Sequence, residues 1–361
     1  MSNRTRTPLP RDLTELMSRG KLQVFLEVSI LIFIEVVAIF GNLSVFYVIH
    51  RSPRLRNLFG MYMFFLALSD LLMATFIMPI SLDILITSRQ NFNNRICKFQ
   101  GFFILVLAWS SLHIMVLMAV SRYFRVVKRS LYLRLFTKRS CLMMVIAVFV
   151  IAGVFVLLPI LAGFAKFEFW PARAACFLTL NTSFPAIRRT CISFYILVYT
   201  ILPLAVIGFC YYKVHTVVSA HKKAVFPQNA GAFCPSISVD EIRVTKTIFS
   251  VVFAFILCWI PSIIVEMLNS IYGSRSLPRW SYMIHVYLAY VSCATNPIIY
   301  GVTNKIFRKI LRKSFGCLFR QDISVIQAQT INNMIDQREA VMMHEPRRIN
   351  VRTIRDEETL F

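Results

Sequence analysis

Acidic side chains are scarce in this chain: 17 Asp and Glu stand against 40 Lys and Arg, a formal net charge of +23 over 361 residues. Charge of either sign is thin, at 16% of residues, while 57% are hydrophobic. A soluble domain so apolar would have too little polar surface to stay dissolved, which excludes that class. A soluble protein this basic would point to nucleic acid. Here the basic residues fall between apolar runs, so a membrane is the expected partner and nucleic acid is not. The first 22 residues have no apolar core, so no cleavable signal peptide is expected and the first apolar run is expected to act as a signal anchor. No internal repeat is detectable either. Transporters tend to carry inverted repeats with broken helices in matching halves, which makes a transporter or channel the weaker alternative.

What the chain does have is seven apolar runs, near 23–49, 58–86, 99–121, 141–165, 190–212, 247–272 and 280–303. Each meets the length of about 20 residues that a helix needs to cross the hydrocarbon core. The expected fold is an all-α membrane protein: a seven-transmembrane helix bundle over 23–303 plus a short interfacial helix over 304–320. The flanks are an extracellular tail, 1–22, and a polar tail, 321–361, expected to be disordered in the cytoplasm.

Charge sets the orientation. Twenty Lys and Arg follow spans one, three, five and seven, among them Arg51, Arg125, Lys128, Arg134, Lys222, Lys246, Arg308 and Arg312. Nine lie in the opposite loops: Arg89, Arg95, Lys98, Lys166, Arg173, Arg188, Arg189, Arg275 and Arg279. The basic side is the cytoplasmic one, so the C-terminus is expected inside and the N-terminus outside, in a multi-pass plasma-membrane protein. The basic N-terminal tail (Arg4, Arg6, Arg11, Arg19, Lys21) opposes this without reversing it. Asn3 and Asn181 head glycosylation sequons on the expected outer side.

Of nine cysteines, Cys141, Cys210, Cys258 and Cys293 fall inside spans and read as small core residues. Cys97 begins span three on the oxidising side. Its expected partner is Cys176, which sits mid-loop and can reach; Cys191 is the competing partner. Cys317 follows the amphipathic segment, whose Ile306, Phe307, Ile310 and Leu311 oppose a basic face, and is a candidate for palmitoylation at an anionic inner leaflet. The closing Thr359-Leu360-Phe361 fits addition to a sheet edge of a PDZ-type domain.

A charge at bilayer depth costs at least about 2.5 kcal/mol and needs a reason. Asp70 lies in mid-span two, with Asn42 in span one and Asn296 in span seven; Ser111 and Ser292 could face the same interior. These five form a candidate polar cluster holding water or a cation, with helix-gluing hydrogen bonds as the alternative. Arg122 closes span three and Glu241 opens span six on the same side. A tie between them would be worth about 1 kcal/mol, weak enough for a ligand preference to overcome. Pro79, Pro159, Pro203, Pro261 and Pro297 sit deep in spans and bend them.

Together these residues resemble the rhodopsin-like (class A) G-protein-coupled receptors over about 23–320. The resemblance rests on Gly41-Asn42; Leu66-Ala67-Leu68-Ser69-Asp70-Leu71; Cys97 with Cys176; Ser121-Arg122-Tyr123; Pro203 and Tyr211; Phe255 with Cys258-Trp259-Ile260-Pro261; and Asn296-Pro297-Ile298-Ile299-Tyr300. It implies no enzyme but a receptor. An extracellular ligand would bind in the outer bundle, span six would swing outward, and a heterotrimeric G protein would exchange nucleotide. Arrestin is a further implied partner.

By resemblance, Pro203, Phe255, Trp259 and Pro261 relay ligand binding. Asp70, Ser111, Ser292 and Asn296 hold a sodium ion as an allosteric modulator, and Tyr211 and Tyr300 support Arg122 in the active state. There are three departures. Ser121 stands where the family usually has an acid, which implies raised basal activity, or else a weakly signalling receptor-like protein. The usual span-four tryptophan is replaced near Phe149-Val150. Leu112 stands where the relay more often has Ile or Val.

Aminergic receptors carry an Asp where Ile104 stands, and opsins carry a Lys where Tyr290 stands, so neither a monoamine salt bridge nor retinal is expected. The stretch Val126 to Thr137 is similar to melatonin-like receptors, but the ligand-proximal residues do not follow them. The expected pocket walls are Ile104, Trp109, Tyr195, Tyr199, Trp259, Tyr287 and Tyr290, with Asp83 and Glu266 near the mouth, either for a cationic group or hydrated or paired with loop arginines. The basic outer loops favour acidic peptides instead. The ligand stays open between a small molecule and a short peptide.

Overall fold

The computed structural model describes residues 10–180, 185–225, 239–272 and 276–314. Asn3, Asn181, Cys317 and the C-terminal residues lie outside the described part.

A short helix, α1 (Arg11–Met17), precedes the first long one, α2 (Lys21–Arg51). The second span is built from α3 (Leu58–Leu72), a π-helical turn (Met73–Ile77) and α4 (Met78–Thr87). Then come α5 (Asn94–Val127), α6 (Arg129–Leu135) and α7 (Lys138–Leu161). A hairpin of β1 (Ala165–Trp170) and β2 (Ala175–Leu180) leads to the fifth span: α8 (Pro185–Ile196), a second π-helical turn (Leu197–Ile201) and α9 (Leu202–Val225). The bundle ends with α10 (Val239–Tyr272) and α11 (Arg279–Thr303). Residues 305–314 are helical as well, begun by Asn304 Oδ1 accepting from the backbone N–H groups of Ile306 and Phe307.

Six of these spans are apolar enough to cross a membrane on length and hydropathy. The seventh, α11, is long enough at 25 residues but more polar, because His285, Tyr290, Ser292 and Asn296 are buried on its bundle side. The lipid-facing side of the bundle is visibly apolar: Phe33 and Phe40 on α2 are each 69% exposed, and Leu161 on α7 is 81% exposed. A water-soluble surface rarely tolerates so much contiguous apolar area.

Both π turns sit just before a proline. A proline ring clashes with the carbonyl four residues back. For Pro79 that carbonyl belongs to Thr75, and for Pro203 to Tyr199, each inside its wide π turn. The widened turn relieves the clash and bends the span.

Within the tail expected over 1–22, residues 11–17 are helical and packed. Leu16 on α1 is fully buried, in a core shared with Leu31, Ile84, Ala174 and Met283. Arg19, just beyond α1, is held by four acceptors: Leu16 O, Leu85 O, Ser88 Oγ and Glu27 Oε2.

The hairpin carries the disulfide. β1 and β2 run antiparallel, with Phe169 opposite Cys176. Cys176 is bonded to Cys97 at the start of α5, and Cys191 is free, as the mid-loop argument expected. A Cβ on Gly101 would lie 2.5 Å from the Phe167 ring and 3.2 Å from Cys176 O, so only glycine lets the hairpin lie this close on α5.

Candidate functional site

The bundle encloses a cavity of about 270 Å³ running inward from the disulfide end. At its mouth, Arg173 comes from the one-turn helix between β1 and β2, Glu266 from α10 and His285 from α11. The Arg173 side chain is 3% exposed, and its Nη2 donates to Glu266 Oε1 at 2.5 Å. The guanidinium also lies over three rings: Trp170 at 4.6 Å, Phe177 at 4.5 Å and Tyr282 at 5.2 Å. Such stacking suits a planar, weakly hydrated cation. His285 Nδ1 is 3.6 Å from Glu266 Oε1, beyond hydrogen-bond reach. The sequence leaves Glu266 open between a cationic ligand group and a loop arginine, and here the loop arginine Arg173 is its partner.

Deeper, Ile104, Trp109, Tyr195, Trp259 and Tyr290 line the cavity, and Phe255 stacks on Trp259 with centroids 5.3 Å apart. Tyr199 is not among the lining residues; it stacks on Trp109 at 4.0 Å and supports the wall from behind. One expected wall group and one expected mouth group are placed elsewhere. Tyr287 turns toward α2, where its hydroxyl donates to Glu27 O. Asp83 accepts from Asn91 at 3.4 Å and is absent from the cavity lining. Pro203 and Pro261 fall in α9 and α10, bending the two helices that flank this region.

The floor is polar. Asn296 Nδ2 donates to Asp70 Oδ2 at 2.7 Å, and Ser111 Oγ donates to Ser69 Oγ, which donates to Leu107 O. Asp70, Ser111 and Ser292 all line the cavity. Two members of the expected cluster also donate to backbone carbonyls. Ser292 Oγ donates to Ala289 O of its own helix, a common resting bond for a helical serine. Asn42 Nδ2 donates to Ala38 O and to Cys293 O, tying α2 to α11 as helix glue.

At the opposite end, Arg122 is 5% exposed and its guanidinium lies 5.4 Å from the centre of the Phe59 ring. Ser121 Oγ donates to Met118 O, and Tyr123 packs against Phe209 at 5.9 Å. The hydroxyls of Tyr211 and Tyr300 are buried without hydrogen-bond partners. Glu241 falls in the first turn of α10, but its side chain lies outside the described part.

Sequence reasoning missed several residues. Gln100 accepts from the Cys176 N–H and donates to Ser81 Oγ, which bonds the Tyr290 hydroxyl; this buried chain joins the hairpin to α5, α4 and α11. Glu27 on α2 binds Arg279 through both carboxylate oxygens, at 2.5 and 2.8 Å, and Arg19 at 2.5 Å. Glu35 Oε2, farther along α2, is buried without a hydrogen-bond partner. The signal for Glu27, Glu35 and Gln100 was in plain view: acids and an amide inside apolar runs.

A seven-helix bundle with a disulfide-pinned hairpin over a polar-floored cavity is the architecture of a membrane receptor. Residues 41–300 match the family of 7 transmembrane receptors (rhodopsin family), and the chain belongs to it. It is a multi-pass G-protein-coupled receptor, and the family is one of receptors rather than enzymes. The chain is 26% identical over 284 residues to the melatonin receptor type 1B-B of Danio rerio, covering 78% of this chain and 79% of that one. It is 27% identical over 288 residues to the melatonin receptor type 1A of Ovis aries, covering 79% and 76%. The fold matches the crystal structure of squid rhodopsin with a TM-score of 0.70 at 21% identity, over 86% of this chain and 90% of that chain.

Proposed function

We propose that this receptor binds an extracellular small molecule in the cavity between Arg173 and Asp70, and that binding drives nucleotide exchange on a heterotrimeric G protein. The observation that carries this reading is the cavity's continuity: Glu266 and Arg173 at its mouth and Asp70 at its floor line one enclosed space. A ligand at the mouth therefore reaches toward the stacked Phe255 and Trp259. A volume of about 270 Å³ is just below the usual range for ligand pockets, about 300–1,000 Å³, and favours a small molecule over a peptide.

The sign of the loop charges supports a plasma-membrane orientation with the disulfide end outside and the Arg122 end in the cytoplasm. In this reading Asp70 and Asn296 hold a sodium ion that favours the inactive bundle, and outward movement of α10 opens a G-protein site near Arg122. The basic segment 305–314 lies along the inner leaflet. Arrestin and a PDZ-type domain are further candidate partners at the cytoplasmic side. The melatonin of the relatives' names is not carried over, because pocket chemistry changes faster than fold at this identity.

The test is expression with a nucleotide-exchange reporter for each G-protein class, alongside a surface-expression control. Normal surface expression with no exchange above background, basal or stimulated, in any class would count for a non-signalling scaffold.

A further inference from the structure

The cavity is rich in donors that nothing accepts from. Arg173 Nε, Arg188 Nε and Trp259 Nε1 belong to lining residues and have no hydrogen-bond partner. Arginine and indole N–H groups can only donate. Ser262 Oγ and His285 Nδ1 are unpartnered too, on side chains 3% and 7% exposed. The acceptors near the mouth, by contrast, are engaged. Glu266 Oε1 takes Arg173, Thr179 Oγ1 takes the Trp170 indole, and Asn269 Oδ1 takes the Tyr282 hydroxyl. Asp70, at the far end, takes Asn296.

At the mouth the charges lean the same way. Glu266 is matched by Arg173, and Arg188 adds a second guanidinium, while Asp70 lies at the far, inner end. An apolar enclosure that leaves buried donors unmet penalises its own empty state, because each unmet group has lost its water without gaining a partner. A ligand that brings acceptors removes that penalty. An amine meets the opposite situation: to reach Glu266 it must displace a guanidinium stacked on Trp170 and Phe177.

We propose that the cavity recognises a small apolar carboxylate. Its anionic group accepts from Arg188 and from the Arg173 Nε–H, and its apolar body extends past Ile104 and Val286 toward Trp259. The assignment names the ligand class of the receptor site proposed above and rests on that reading. A carboxylate offers two oxygens to two guanidinium donors, and charge-assisted bonds of this kind are about twice as strong as neutral ones.

The experiment uses the full chain purified in detergent. The probes are octanoate, 4-phenylbutyrate and 1-naphthaleneacetate, each beside its methyl ester and the amine of the same skeleton. Affinities come from ligand-dependent shifts in thermal unfolding, and basal G-protein nucleotide exchange is measured on the same preparation. At least one acid is expected to bind about ten-fold or more tighter than its ester and its amine, the size expected for a charged hydrogen bond. Arg188→Gln is expected to weaken that acid about ten-fold and leave the ester unchanged. Glu266→Gln removes the competing negative charge, so it is expected to retain or tighten the acid; a cation site would lose its ligand instead. If no acid binds, if ester or amine binds as well as acid, or if Glu266→Gln abolishes acid binding, the carboxylate assignment is overturned. Basal exchange then decides separately whether the receptor reading stands.

Discussion

A Cβ placed on Gly41 would lie 2.9 Å from Cγ of Pro297 and 3.0 Å from its Cβ. This contact joins two of the motif positions, one on α2 and one on α11, and explains why a glycine stands mid-helix. Gly41→Ala gains about 1 kcal/mol of helix propensity. It forces a rigid proline ring to move, and overpacking of this kind costs about 1–3 kcal/mol. The expected net effect is a small loss of thermal stability, larger for Gly41→Leu. A Gly41→Ala protein that melts higher than wild type would show that the two helices have room to spare.

Asp70 and Asn296 meet at 2.7 Å at the cavity floor. A buried carboxylate whose partners, Asn296 and the Cys293 thiol, are both neutral keeps capacity to accept, which is what a monovalent cation needs. Asp70→Asn removes the charge at constant size. It is expected to eliminate any dependence of agonist affinity on sodium while preserving surface expression. Agonist binding compared in sodium and in N-methylglucamine buffer measures this; sodium sensitivity that survives the substitution leaves the carboxylate a structural role only.

Much of this architecture was legible because membrane burial leaves a strong imprint on sequence. Twenty apolar residues in a row admit few structures, and Asp70, Asn296 and Arg122 stand out against such a background. The pairings that were missed depend on direction, which composition does not carry. Tyr287 and Tyr290 are three residues apart, yet one bonds Glu27 O on α2 and the other Ser81. Asn42 and Ser292 were grouped with Asp70 because all three are polar at similar depth, but each finds a backbone carbonyl first. A loop arginine is one expected partner for Glu266, but which of the nine loop charges it is, Arg173, depends on how the hairpin folds over the bundle. The first 22 residues lacked an apolar run, so nothing in them announced that Leu16 would be buried.

Glu27 gathers Arg19 and Arg279, and its side chain is only 13% exposed. Both guanidiniums are nearly buried, so neither can turn to water if the carboxylate goes. Hydrogen bonds to charged groups contribute about 1.5–3 kcal/mol each. Glu27→Gln is therefore expected to release α1 and the segment through Arg19 without unfolding the bundle. Hydrogen exchange over residues 11–19 should accelerate at least about ten-fold while exchange in α5 stays unchanged. Unaltered protection of 11–19 would mean that Leu16 and its apolar neighbours hold the segment without the ion pairs.

Gln100 is fully buried and serves two masters: it accepts from Cys176 N–H and donates to Ser81. Gln100→Leu keeps the volume and strands the Cys176 donor beneath the hairpin. The cost of one buried unmet donor is about 1–3 kcal/mol. The expected result is a lower melting temperature and a weaker ligand response, since the hairpin also carries Arg173. Gln100→Glu restores an acceptor for the N–H and should recover part of the loss in the same melting assay. A Leu variant as stable as wild type would mean that the disulfide alone fixes the hairpin.

Arg122 lies buried over Phe59 at the far end of α5, next to a serine whose hydroxyl is engaged with Met118. With Ser121 in place of an acid, a restraint on Arg122 has to come from another element, and Glu241 at the start of α10 is the acid proposed for it. Removing a tie worth about 1 kcal/mol changes a two-state balance about five-fold. Glu241→Ala is thus expected to raise basal nucleotide exchange by up to that factor. Ser121→Asp supplies an acid beside the same guanidinium and is expected to lower basal exchange and to offset Glu241→Ala when the two are combined. Both are read with the exchange reporter at matched surface expression. If Glu241→Ala leaves basal exchange level or lowers it, α10 is not restrained through that side chain, and the offset by Ser121→Asp should vanish with it.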